Sequence, residues 1–131
     1  MKLVITSILY LISLVAVMTG LNVIIFGAAA IPGSAGAVEA TVDNELRFFA
    51  VFWLAYGGFS FWVAKNIVEQ YHFIPSIALI FFLGGVGRLI SMLTIGSPAS
   101  ILIPAMFLEF FIPVVIFILY RKVYKQKLTM A

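Results

Sequence analysis

The chain has 131 residues, 64% of them hydrophobic and 10% charged, and a formal net charge of +3. Soluble domains average about 25% charged and about 45–50% apolar residues, so a water-soluble core-and-surface design is excluded. There is no cysteine, which removes disulfides, thiolate metal ligands and cysteine nucleophiles.

Four apolar segments fill most of the sequence and predict an all-α membrane protein. It is read as a single four-helix transmembrane bundle over residues 1–131. The first span covers about 3–26. A secretory signal peptide competes, because Lys2 precedes the apolar run and Ala28-Ala29-Ala30 offers small residues for cleavage. The apolar run exceeds the ~7–15 residues of a signal h-region, so it is read as a retained helix. The second span covers about 46–64, after Asp43-Asn44-Glu45, acidic residues that suit a helix N-terminus. Its helix can start as early as Ala37. The third span covers about 73–95, with Pro75 tolerated in its first turn. The fourth covers about 98–120, from Ser97-Pro98 to Tyr120.

Flanking charges predict orientation. Lys2, Lys65 and the terminal run Arg121, Lys122, Lys125 and Lys127 lie on one side; Glu39, Asp43 and Glu45 lie on the other. By the positive-inside rule both termini are cytoplasmic in a multi-pass membrane protein. The basic tail then meets anionic headgroups rather than nucleic acid. Trp62, Tyr71, Tyr120 and Tyr124 fall at the inner interface, where amphipathic rings belong.

Two lone charges interrupt the apolar spans, Arg88 in the third and Glu109 in the fourth. An unpaired ionised side chain in hydrocarbon costs at least ~2.5–3.5 kcal/mol, so such residues face a partner or a cavity. At about 1.5 Å per residue, Arg88 lies about 10 Å and Glu109 about 16 Å from the same surface. An arginine side chain covers that offset, and a buried Arg88–Glu109 pair is expected. Breaking a buried pair typically costs about 3–5 kcal/mol. Ser91 faces inward with Arg88, and Gly84 and Gly87 allow close backbone approach on that side. Asp43, Glu45 and Arg47 are expected near the outer end of the same groove. Asp43 and Arg47 also have the i,i+4 spacing of an ordinary surface pair.

Prolines mark the fourth span. Pro113 removes the donor for the carbonyl of Glu109 and is expected to bend the helix there. Pro104 is expected to do the same to Ser100, and Pro98 to bend the start of the span. The pair can be a clamp that fixes the fold, or a site opening outward to an anionic, zwitterionic or protonatable ligand.

The remaining candidates are plainer. His72, the only histidine, is an interfacial residue, and no metal site or cofactor is expected. Met92 and Met106 read as packing. Ser13 and Gly20 in the first span, with Gly57, Gly58 and Ser60 in the second, suit close helix contacts within or between subunits. No P-loop, dinucleotide fingerprint, zinc-protease or nucleophile-elbow motif occurs, so no catalytic residues are assigned.

The pattern Glu45-Leu46-Arg47-Phe48, then Gly84-Gly85-Val86-Gly87-Arg88-Leu89-Ile90-Ser91, Gly96-Ser97-Pro98 and finally Glu109 resembles a known bacterial family. It is similar to the small four-helix proteins of the bacterial inner membrane catalogued as domain of unknown function 4345, which include the AciT-like proteins. The resemblance covers nearly the whole chain. It implies that Arg47, Arg88, Ser91, Pro98 and Glu109 are family positions. It also implies an association with cell-envelope integrity and antibiotic tolerance, without a mechanism.

Three functions compete. The leading expectation is a non-enzymatic protein supporting the permeability barrier by binding a lipid or lipophilic ligand near Arg88 and Glu109. The alternative is a small proton-coupled exporter of lipophilic compounds using Glu109. Small multidrug transporters of this size carry their acid in the first helix, where this chain has none. An intramembrane enzyme such as an isomerase ranks last, because Arg88 can neutralise Glu109. Small-residue faces and the run Phe107, Phe110, Phe111 point to membrane lipids and homo-oligomers as partners.

Overall fold

A computed structural model describes residues 1–129, with side chains to Val123. Helix α1 (Lys2–Phe26) runs into a 3₁₀ turn at Gly27–Ala30. Helix α2 (Ala40–Lys65) leads through a short turn at Tyr71–Phe73 to α3 (Ile74–Thr94), and α4 (Leu102–Thr129) follows. There is no strand among the described residues. All four helices are long and apolar enough to cross a membrane. Large apolar side chains stand exposed along each of them, Leu14, Phe52, Leu83 and Phe111 among them. Water would reject such a surface; hydrocarbon accepts it.

One boundary agrees with expectation and one differs. Helix α2 begins at Ala40, between the earliest expected start at Ala37 and the apolar span at 46; Glu39 is extended and Asp43 falls inside the first turn. There its negative charge meets the positive end of the helix. Helix α4 starts only at Leu102, since residues 96–99, including Pro98, form an irregular connection. It then continues past Tyr120 to Thr129. The basic tail therefore lies in helix, where cations suit the negative C-terminal end.

The helices pair as two hairpins, α1 with α2 and α3 with α4. In hydrocarbon, where lipid tails are as apolar as leucine, close packing rather than transfer from water would drive this pairing. Between α1 and α2 the packing uses small residues. A Cβ on Gly20 would lie 3.2 Å from the Ala50 carbonyl, and one on Gly57 would lie 3.0 Å from Ala16 Cβ and the Val17 nitrogen. Ser13, Ala16 and Ser60 are buried in the same seam.

The flank of α2 beside this seam is aromatic and holds α3 at a distance. Trp53 stacks on Tyr56 and on Phe81, the latter at 6.3 Å with rings 8° from parallel. The Tyr56 hydroxyl donates to the Ile77 carbonyl at 2.9 Å. Trp53 Nε1 donates to Thr19 Oγ1 at 2.8 Å, which ties this stack back to α1. Below it Ile5, Leu9 and Ile12 pack with Val63, Ile74, Ile77 and Ile116, so the core gathers at the end of the bundle that carries both termini.

The seam is testable by contrasting neighbouring glycines. Gly58 has nothing within 4 Å of an added Cβ, whereas Gly57 would meet Val17 Cγ2 at 2.9 Å. Gly57→Ala is expected to lower the unfolding free energy in mixed detergent by about 1–3 kcal/mol. Gly58→Ala should be neutral or stabilise by up to about 1 kcal/mol through helix propensity.

Candidate functional site

The site grows from the register of two helices. In α4 the buried positions Met106, Glu109, Pro113 and Ile116 recur at helical spacing, so the acid occupies the inward stripe. In α3 the buried stripe Ile74, Ile77, Ala78 and Gly85 leads one turn later to Arg88. Gly85 decides how close the helices come. A Cβ there would lie 3.1 Å from Glu109 Cβ and 3.3 Å from the Phe110 ring, which in turn meets Phe82 edge-on. Gly84 and Gly87, expected to serve this approach, have open space around them. Counting from Ile74 in steps of 3.6 would have selected Gly85.

Arg88 and Glu109 meet as expected. Arg88 Nε donates to Glu109 Oε1 at 3.0 Å and lies 2.9 Å from Oε2. The late start of α4 removes the expected depth offset. Each residue lies about 10 Å from its helix end at the α3–α4 connection. The pair is asymmetric. The Glu109 side chain is 9% exposed and the Arg88 side chain 44%. Arginine usually grips carboxylates through a two-nitrogen fork. Here Nε alone donates, Oε2 accepts no hydrogen bond, and both Nη groups lack a protein partner among the described residues.

Arg88 also lines a cavity of about 110 Å³ together with Ser91, Met92, Pro98, Leu102 and Met106. Ser91 supplies a hydroxyl, and the two methionines and Leu102 supply a soft apolar wall. The methionines were read only as packing, although Met92 follows Arg88 by four residues and Met106 precedes Glu109 by three. The α1–α2 connection reaches the α3–α4 connection beside Pro98. Gly33, at φ +81°, lies so close that a Cβ would sit 2.5 Å from Ala99 Cβ.

The other expected residues belong elsewhere. Arg47 donates from Nε to Asp43 Oδ2 at 2.7 Å and from Nη1 to the carbonyls of Ile24 and Ile25. Asp43 Oδ1 accepts from the Ala28 backbone at 3.3 Å. The Asp43–Arg47 pair is thus a clamp joining the C-terminus of α1 to the first turn of α2, with each charge at the helix end that favours it. It is part of no groove with Arg88, whose cavity takes no residue from α1 or α2. Only glycine fits at position 27, where φ is +59° and a Cβ would strike Asp43 Oδ1 and Arg47 Nη2. Glu45 is exposed and without a hydrogen bond or ion pair among the described residues.

Of the three prolines expected to bend a helix, two do not. Pro98 lies in the connection. Pro104 falls in the first turn of α4, where its missing donor is one the helix leaves unused, and Ser100 oxygen accepts from Ile103 instead. Pro113 alone lies inside α4, which continues through it. Trp62, Tyr71 and Tyr120 share the terminal end of the bundle, while the Tyr124, Lys125 and Lys127 side chains lie outside the described residues. His72 packs against Phe73 at 4.1 Å between centroids, and no metal-binding group of side chains occurs among the described residues.

A family model described as "Domain of unknown function (DUF4345)" matches residues 4–120, and the chain belongs to that family. No curated protein and no solved structure matches it.

The asymmetry of the pair has a measurable consequence. Arg88→Gln strands an acid that is nine-tenths buried, whereas Glu109→Gln strands a guanidinium that reaches the surface. Because the pair is half open, the cost falls below that of a fully buried one. Arg88→Gln should cost about 1–3 kcal/mol of unfolding free energy and Glu109→Gln less. Equal costs would contradict the asymmetric burial.

Proposed function

We propose that this member of the DUF4345 family is a non-enzymatic, multi-pass protein of the bacterial inner membrane that supports the envelope permeability barrier. It does so by holding the oxygen-bearing headgroup of a lipid or lipophilic amphiphile at Arg88. The observation that carries the reading is that Arg88, whose Nη groups lack a protein partner among the described residues, lines a 110 Å³ cavity. Planar N–H donors of this kind take up phosphate or carboxylate oxygens in pairs. The apolar wall of Met92, Leu102 and Met106 suits the hydrocarbon beside such a headgroup. The likeness to AciT-like proteins, with their link to envelope integrity and antibiotic tolerance, agrees with this role.

Charge supports the orientation. Lys2, Lys65, Arg121 and Lys122 gather at one end of the bundle, and Glu39, Asp43 and Glu45 at the other. With both termini cytoplasmic by the positive-inside rule, the Arg88 cavity opens toward the outer leaflet. The unoccupied spaces beside Gly58, Gly84 and Gly87 favour a second copy of the chain as a neighbour.

One observation favours a second reading. Glu109 is buried with an oxygen that accepts no hydrogen bond, the position a proton-coupled exporter gives its acid. Against that reading, Arg88 holds the carboxylate and α1 contains no acid.

Dye accumulation separates the two. The assay uses a deletion strain with its other pumps disabled, complemented with wild type, Arg88→Gln or Glu109→Gln, with and without a protonophore. Barrier support predicts that wild type slows dye influx equally when the proton gradient is collapsed, and that Arg88→Gln loses the protection. Protection that vanishes with the gradient, and with Glu109→Gln, would establish export instead.

A further inference from the structure

A second cavity lies at the opposite end of the bundle from Arg88. Its volume is about 140 Å³, and residues of α1, α3, α4 and the α2–α3 connection line it. Ile5, Val68 and Ile74 form its apolar floor and wall, Tyr71 and Tyr120 flank it, and Lys2 supplies its only charge among the described residues. Apolar cavities of about 150 Å³ stay dry and admit a benzene-sized hydrocarbon. This one can therefore take a short length of acyl chain but not a chain of ordered waters.

The surroundings specify the headgroup. At this end Lys2, Lys65, Arg121 and Lys122 face a single acid, Glu69, among the described residues, and the sequence continues with Lys125 and Lys127. Arg121 lies over the Phe117 ring at 5.9 Å, and the exposed Lys2 ammonium is the cation on the cavity among the described residues. An ammonium at the mouth of an apolar slot, inside a basic interface, complements a lipid that joins hydrocarbon to a negative phosphate.

We infer that this cavity is a second lipid site, specific for an anionic phospholipid, with the phosphate at Lys2 and the adjoining acyl segment between Ile5, Val68 and Ile74. It is separate from the Arg88 cavity and does not depend on what that cavity binds. Two ligands can thus occupy the bundle at once, one from each leaflet. The slot borders the buried core at Ile5 and Ile74, so occupancy there braces the contacts among α1, α3 and α4.

The test titrates short-chain phosphatidylglycerol or phosphatidylcholine, with identical chains, into the full-length protein in uncharged detergent. The melting midpoint is the readout. Wild type should reach its half-maximal rise at about fivefold lower phosphatidylglycerol than phosphatidylcholine. Lys2→Gln should bring the two lipids together while keeping the rise. Val68→Trp, which fills the slot from an exposed position, should remove the rise with both. Lys2 and Val68 both lie outside the packed core, so neither change disturbs folding. Equal response of wild type to the two lipids overturns the proposal, because a zwitterionic lipid then serves as well. So does a wild-type preference retained by either variant, since anionic lipid would then act on the diffuse charge of this end.

Discussion

One nitrogen atom, Nε of Arg88, holds the buried carboxylate of Glu109, and the arrangement of α3 and α4 follows from that contact. For a single short donor to reach an acid on the inward stripe of α4, the two helices must lie close and level. Gly85 provides the closeness by leaving room for Glu109 Cβ and the Phe110 ring. The irregular connection at 96–99 provides the level by delaying α4 to Leu102. Because Nε makes the bond, both Nη groups are left without a protein acceptor among the described residues. In the proposed reading, charge neutralisation and ligand binding fall to different nitrogens of one side chain.

The same division of labour runs through the bundle. Where two helices touch backbone to backbone, as at Gly20 and Gly57, the contact is made by the absence of side chains. Where α2 and α3 stand apart, Trp53, Tyr56 and Phe81 fill the gap, and the tyrosine hydroxyl finds a carbonyl. In hydrocarbon neither contact gains from expelling water, so stability rests on packing and on the few polar bonds. The Asp43–Arg47 clamp is the polar counterpart at the far end of α1 and α2. It satisfies carbonyls that the end of α1 leaves open and fixes the turn where only Gly27 fits.

Much of this was legible in the residues. Hydropathy alone located four helices, and charge isolation singled out Arg88 and Glu109 as partners, since hydrocarbon leaves such groups few alternatives. What escaped was register and local termination. Gly84 and Gly87 were favoured over Gly85 because glycine content was weighed without the helical phase. Pro98 and Pro104 were read as bends because the start of α4 was set by hydropathy, which cannot distinguish an apolar connection from an apolar helix. Arg47 was placed in the Arg88 groove from its side of the membrane. Nothing in its neighbours along the chain shows that the carbonyls of Ile24 and Ile25 come within its reach.

The central claim is that the outer edge of Arg88 holds a lipid phosphate while its inner edge holds Glu109. The most direct measurement is the dipolar coupling between ¹⁵N-labelled arginine side chains and lipid ³¹P in bilayers, with Arg88→Lys supplying the background from Arg47 and Arg121. The account predicts Nη–phosphorus coupling at hydrogen-bond range that disappears in Arg88→Lys and persists in Glu109→Gln. Coupling no stronger than that background would show that the free edge of Arg88 faces something other than phosphate, and would contradict the account.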